Sequence, residues 1–200
     1  DAGEGAVVHP ADSLLTQRGL IKKGLLMQIK DWPYRFDELL SLSSDEEKKK
    51  WEGGRYFTYY LCPTDYHRVH SPVSGQIVSS TYIPGTLWPV NTWSVQTIPQ
   101  LFSRNERMIT FIQNDRGGVA VVMVGATNVG KMTVSYDPQY LTNQKGGVRE
   151  ILKRSYHPTK EIQVGEELGV FHMGSTVIVL YSEGYLQGEE LKKDLVVEDV

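Results

Sequence analysis

Short apolar runs broken by Gly, Pro and Asn dominate the chain, and few stretches repeat apolar residues at helical spacing. "KGLLMQIK" predicts a strand. "YRFDELLSLSSDEEKKKW" holds two short helical patches, with Ser43 or Ser44 placed to cap the acidic first turn of the second. Beyond it, "YFTYYLCP", "GQIVSSTYIP", "RMITFIQN", "GVAVVMVGA", "KMTVSY" and "STVIVLYS" are short and rich in β-branched and aromatic residues. Strands so spaced predict a mainly β (α+β) fold, a compact β-sandwich or barrel-like core with a few short helices. In "SPVSGQIVSSTYIPGTLW" a Pro-x-x-Gly turn and a Pro-Gly turn bracket one strand. Residues 136–160 are polar with a Gly-Gly pair and read as a long loop, a candidate cover for a site. The charged "GEELKKDLVVEDV" at the end reads as frayed.

Composition narrows the classes. A chain of 200 residues with 40% hydrophobic content can bury one sizeable core, so 1–200 is taken as one domain. With 21 basic and 24 acidic side chains the net charge is −3, and no broad positive field invites nucleic acid. Cys62 is alone, and no paired Cys/His spacing describes a zinc site, so no metal is expected. No run of eighteen apolar residues and no signal-like segment occurs. A first residue of Asp1 rather than Met is the pattern of an excised domain or processed product, one from which any N-terminal membrane anchor is missing.

The polar residues that stand out each have an ordinary reading. His67 and His70 in "TDYHRVHSPVSG" would share a face only on a helical turn; otherwise they are solvated imidazoles of a surface turn. A metal at this pair needs another ligand, which the sequence does not offer. Asp12 in "VVHPADSLLTQRG" fits an Asx turn. Ser175, in "VFHMGSTVIVL", fits a strand-edge hydroxyl bonded to backbone. His9, His157 and His172 read as structural or solvated. Asp, His and Ser are also the three groups of a relay that activates a nucleophile, in whatever chain order they come.

"YLCPTDYHRVHSPVSGQI", "YIPGTLWPVN", "LFSRNERM", "VVMVGATNVGKM" and "GEELGVFHMGSTVIVL" together resemble the motif series of the phosphatidylserine decarboxylases, pyruvoyl enzymes that cut themselves. The blocks follow in family order over roughly residues 8 to 182. One departure stands in the cleavage signature, usually Leu-Gly-Ser-Thr, where Met173 replaces Leu, a volume-conserving change.

The resemblance implies that Ser175 attacks the Gly174 carbonyl, with His70 as base and Asp12 orienting it. Cleavage between 174 and 175 would leave a larger chain, 1–174, and a small chain, 175–200, carrying a pyruvoyl group derived from Ser175. That group would form a Schiff base with phosphatidylserine, and His67 would serve the decarboxylation that yields phosphatidylethanolamine. The partners implied are the lipid substrate, a membrane surface and the protein's own small chain, with a homodimer by family analogy. Localisation at a membrane follows, whether a bacterial or a mitochondrial inner membrane. Trp32, Tyr34 and Phe36, with Lys48, Lys49 and Lys50 beside Trp51, are candidate lipid contacts; their ordinary readings are core aromatics and a solvated helix face. Two alternatives stay open: the same chemistry on another amine-bearing carboxylate such as an aromatic amino acid, and an uncut, non-catalytic binding module.

Overall fold

The computed structural model describes residues 5–28, 32–127, 131–140, 142, 150–172 and 175–186. Its most apolar stretch, "STVIVLY", forms a strand in which every residue is buried. A strand covered on both faces has no reason to alternate, and this one does not.

In chain order the elements are β1 (Leu14–Leu20), β2 (Leu25–Gln28), β3 (Trp32–Arg35), α1 (Phe36–Leu40), α2 (Asp45–Lys49), β4 (Arg55–Leu61), β5 (Arg68–His70) and β6 (Gly75–Ile83). There follow α3 (Thr92–Thr97), α4 (Leu101–Arg104), β7 (Arg107–Asn114), β8 (Gly117–Val124), β9 (Met132–Val134), β10 (Leu152–Ile162), β11 (Glu167–Phe171) and β12 (Ser175–Tyr181). One antiparallel sheet takes the order β1-β4-β12-β8-β7-β6-β10, a second the order β5-β11-β9, and β2 and β3 form a hairpin. The mainly β expectation holds. Among the described residues no helix is long and apolar enough to cross a membrane.

The register of the large sheet aligns one end. Ser175 is opposite Leu61, Thr176 opposite Val124, Val124 opposite Arg107, and Arg107 opposite Ile83. Because side chains alternate along a strand, the same register sorts residues by face. Tyr56, Phe111 and Ser79 lie on the first face. There Met27 N donates to Tyr56 Oη at 3.0 Å and Trp51 packs on Phe111, so the hairpin and the α1–α2 region cover it. Arg107 fastens that cover: buried in the sheet, it donates to the carbonyls of Leu39 and Glu38, each at 2.8 Å, and so caps the open end of α1.

Tyr59, Thr110, Met123, Val177 and Ser175 share the second face. Thr110 Oγ1 meets Tyr136 Oη at 2.7 Å, and Ser80 Oγ is held between the hydroxyls of Tyr140 and Tyr156. The small sheet packs here through Gly169. A Cβ at that position would fall 2.6 Å from the Thr133 carbonyl oxygen and 2.9 Å from Met123 Sδ, so only glycine lets β11 lie this close to β9 and β8.

Three expectations change. Residues 152–160, read as loop, belong to the edge strand β10; Pro158 within the run masked the signal, and an edge is where a strand tolerates proline. Arg68–His70 is strand rather than the surface turn read there, with His67 just ahead of it, so no helical turn puts the two histidines on one face. Tyr34, Phe36 and Trp51 are 1%, 2% and 3% exposed, which withdraws them as lipid contacts and leaves Trp32, at 37%, the only exposed aromatic of that set. The frayed end expected for 188–200 lies outside the described residues, as do Met173 and Gly174.

Candidate active site

Ser175 opens the interior strand β12 with its side chain on the second face. It is fully buried, and among the described residues its Oγ has no hydrogen-bond partner. The backbone-bonded hydroxyl that a strand edge would give is therefore not formed with any described residue. Leaving a buried hydroxyl unpaired costs about 1–3 kcal/mol, so such a group calls for a reason.

His67 stands between the Cys62–Asp65 turn and β5. The turn is closed by Asp65, whose Oδ2 accepts from Cys62 N at 2.7 Å and whose N donates to Cys62 O at 2.9 Å. The His67 carbonyl accepts from Phe171 N at 2.9 Å, which fixes it beside the chain that runs on to Ser175. Its Nε2 is a second buried atom with no partner among the described residues. A hydroxyl on Ser175 and an imidazole nitrogen on His67, whose carbonyl pairs with Phe171, are thus both left unpaired among the described residues.

His70 lies at the far end of β5, and in extended chain a three-residue offset turns two side chains to opposite sides. Its backbone N donates to Pro10 O at 2.7 Å, and its ring stacks on Tyr66 at 5.9 Å. Nδ1 lies 2.9 Å from the Gly165 carbonyl oxygen. A carbonyl can only accept, so Nδ1 carries the proton and the neutral ring keeps its lone pair on Nε2, the form a general base needs.

Asp12 reaches this neighbourhood through its backbone. Val8 N donates to Pro72 O at 3.0 Å and Pro10 accepts from His70, so residues 8–10 run beside residues 70–72. The Asp12 side chain is exposed and accepts no hydrogen bond from the described residues, so the Asx turn is not formed and the orienting contact to His70 comes from Gly165. Nearby, His9 Nδ1 lies 3.0 Å from Tyr59 Oη; burial against that ring lowers the His9 pKa although the residue as a whole stays exposed.

Gly165, Tyr66 and Pro10 are absent from the sequence-based set. "QVGEE" does mark a turn, and Gly165 has φ +78°, but nothing local ties that turn to a histidine 95 residues earlier. Among the described residues no group of three or more His, Cys, Asp or Glu side chains converges as a metal site would.

Together these features describe one class: a mainly β protein with an interior strand, β12, that begins on a buried serine unpaired among the described residues, and with a small sheet bearing His70 packed on the same face. The particular family follows from comparison: a model of phosphatidylserine decarboxylase matches residues 1–198, and the chain belongs to that family. It is 40% identical over 183 residues to the phosphatidylserine decarboxylase proenzyme of Anaeromyxobacter sp., covering 91% of this chain and 64% of that protein. The proenzyme of Brevibacillus brevis is 41% identical over 199 residues, 98% of this chain and 70% of its own. That of Myxococcus xanthus is 43% identical over 182 residues, 90% of this chain and 62% of its own. The chain therefore spans about two thirds of the length of these relatives.

Proposed function

We propose that this chain is the catalytic part of a membrane-associated phosphatidylserine decarboxylase that matures by cutting itself between Gly174 and Ser175. The observation that carries the reading is the buried Ser175 hydroxyl, unpaired among the described residues and held on the sheet face against which β11 packs at Gly169.

In maturation, Oγ of Ser175 adds to the Gly174 carbonyl carbon and the amide C–N bond breaks, moving the acyl group from nitrogen to oxygen. The seryl proton leaves to Nε2 of His70, whose tautomer is set by Gly165. Asp12, on the adjoining segment, steadies the imidazolium by charge. Loss of the Cα proton of residue 175 then expels the Gly174 carboxylate. Water replaces the nitrogen of the resulting dehydroalanine, releasing ammonia and leaving a pyruvoyl end on β12.

The cradle suits such a group: residue 175 is enclosed, and no bond among the described residues competes for its side chain. When present, the pyruvoyl group supplies an electron sink for loss of carbon dioxide from an amine-bearing carboxylate. His67, with its buried Nε2 unpaired, delivers the proton to the carbon that has lost carbon dioxide.

The test combines intact mass with released carbon dioxide. Purified wild type should appear as two chains, and Ser175→Ala and His70→Ala as one. His67→Ala should be cut yet turn over phosphatidylserine at least 100-fold more slowly, the lower range for losing a general acid. Carbon dioxide from phosphatidylserine and none from free amino acids supports the lipid as substrate; the reverse assigns the chemistry to another amine-bearing carboxylate. A wild-type chain that stays whole sinks the enzyme reading.

A further inference from the structure

Among the described residues seven large apolar side chains are exposed: Leu14, Leu20, Trp32, Tyr66, Trp88, Trp93 and Ile151. They are not scattered. Leu14 begins β1 opposite Tyr60, Ile151 precedes β10 where Leu152 is opposite Tyr82, and Tyr66 follows the end of β4. Trp88 and Trp93 lie on the segment that joins β6 to β7. All five sit on chain that enters or leaves the large sheet at the end where Ser175 stands; of the other two, Leu20 lies at the opposite end and Trp32 on the β2–β3 hairpin.

The two tryptophans stand on a fixed support. Asn105 accepts from Trp88 N at 3.0 Å and donates to the carbonyls of Trp88, at 2.8 Å, and Gly125, at 2.9 Å. Gly125 follows Val124, the partner of Thr176, so hydrogen bonds connect the start of β12 to the Trp88 backbone. Trp93 projects from α3, whose inner residues Ser94 and Val95 are buried and whose Asn91 caps the first turn at 3.0 Å. Its ring is nevertheless 69% exposed, and that of Trp88 48%. Two exposed tryptophans on backbone fixed in this way form an apolar surface that no described residue covers. From Pro84 to Asn105 the only charged residue is Arg104, which is exposed, and no carboxylate occurs to repel an anionic surface.

The geometry points to a membrane-docking face in which Trp88 and Trp93 enter the headgroup layer of an anionic, phosphatidylserine-containing bilayer and set the Ser175 end of the sheet against it. This rests on the proposed decarboxylase reading, which places the substrate in such a bilayer. The face then holds the site at the surface from which a two-tailed lipid must be drawn.

Mature wild type, Trp93→Ser and Trp88→Ser/Trp93→Ser are sedimented with vesicles of phosphatidylcholine and phosphatidylserine, and tryptophan emission is followed with brominated acyl chains. Each protein is also assayed on water-soluble, short-chain phosphatidylserine. Wild type should sediment and be quenched, and the double variant should partition about tenfold less or weaker. Short-chain turnover should remain within twofold. Undiminished vesicle binding or quenching in the double variant overturns the proposal. So does an equal loss of short-chain turnover, which would place the rings in the fold or the site, and so does a wild-type dimer that the substitutions dissociate without change in lipid binding. Vesicle binding that depends on both tryptophans, in a wild type inactive on short-chain lipid, supports the docking face while rejecting the decarboxylase reading.

Discussion

Among the described residues the Ser175 hydroxyl has no bond, and that has a measurable price in stability. Replacing it by a hydrogen removes a buried polar group that nothing satisfies, at the cost of a void smaller than a methyl group. In a His70→Ala background, which on the proposed mechanism should keep the chain whole, adding Ser175→Ala should therefore stabilise the fold by about 1 kcal/mol. Urea midpoints of the single and double variants test it; a fall in midpoint would mean that Oγ has a partner in solution. The position of this serine was legible because a Gly-Ser-Thr triplet ahead of an unbroken apolar strand is out of place in a core. Its role came from the motif series and not from periodicity. The partner that sets the His70 tautomer could not be read, because the Gly165 carbonyl reaches Nδ1 through the pairing of β5 with β11, across 95 residues of sequence.

Among the elements, α2 was read closely because its signal is local: Ser44 Oγ accepts from Glu47 N at 3.2 Å while Glu47 returns a bond to Ser44 N, a complete capping box. The edge strand β10 was not, since its place depends on a polar network with distant partners. Asp137 Oδ2 accepts from Arg154 at 2.8 Å and from Tyr156 Oη at 3.0 Å, and Tyr156 in turn meets Ser80 of β6. Burial pulls the Asp137 carboxyl upward, yet the bonds from Arg154, Tyr156 and Gln139 outweigh it and leave its pKa below the ordinary value of 3.8. A carboxylate depressed in the folded state stabilises fully above its unfolded pKa, and this contribution is lost as pH falls through the lower folded value. Asp137→Asn should thus be less stable than wild type by about 1–3 kcal/mol at neutral pH, the range for bonds to a charged group. The gap should close as pH falls below about 3.8, the unfolded value. Denaturant midpoints of both proteins across that range check it; a gap that ignores pH would assign the effect to packing rather than charge. The lipid contacts expected of Tyr34 and Phe36 in "DWPYRF" fail for a related reason: the hairpin packing that buries them depends on distant partners, and local composition does not show it.

For the molecule as a whole, the proposed cut would fall just ahead of a strand that holds the new chain end from both sides. β12 lies between β4 and β8, paired with each along nearly its whole length, and its side chains are buried on both faces. Each of Val177, Ile178, Val179 and Leu180 contributes roughly 1.5–3 kcal/mol by burial. Withdrawing the strand would also strip backbone partners from the interiors of two neighbours, leaving buried polar groups unpaired. A scission ahead of Ser175 therefore leaves the sheet intact, whereas one within the strand would not. The two chains produced should stay together through native gel filtration at high dilution and appear as one mass under native ionisation. They should part only in the same cooperative transition that unfolds the sheet, followed by far-ultraviolet circular dichroism in urea. Release of the small chain at urea concentrations that leave the dichroism unchanged would show that the ladder of β12 is not what holds it.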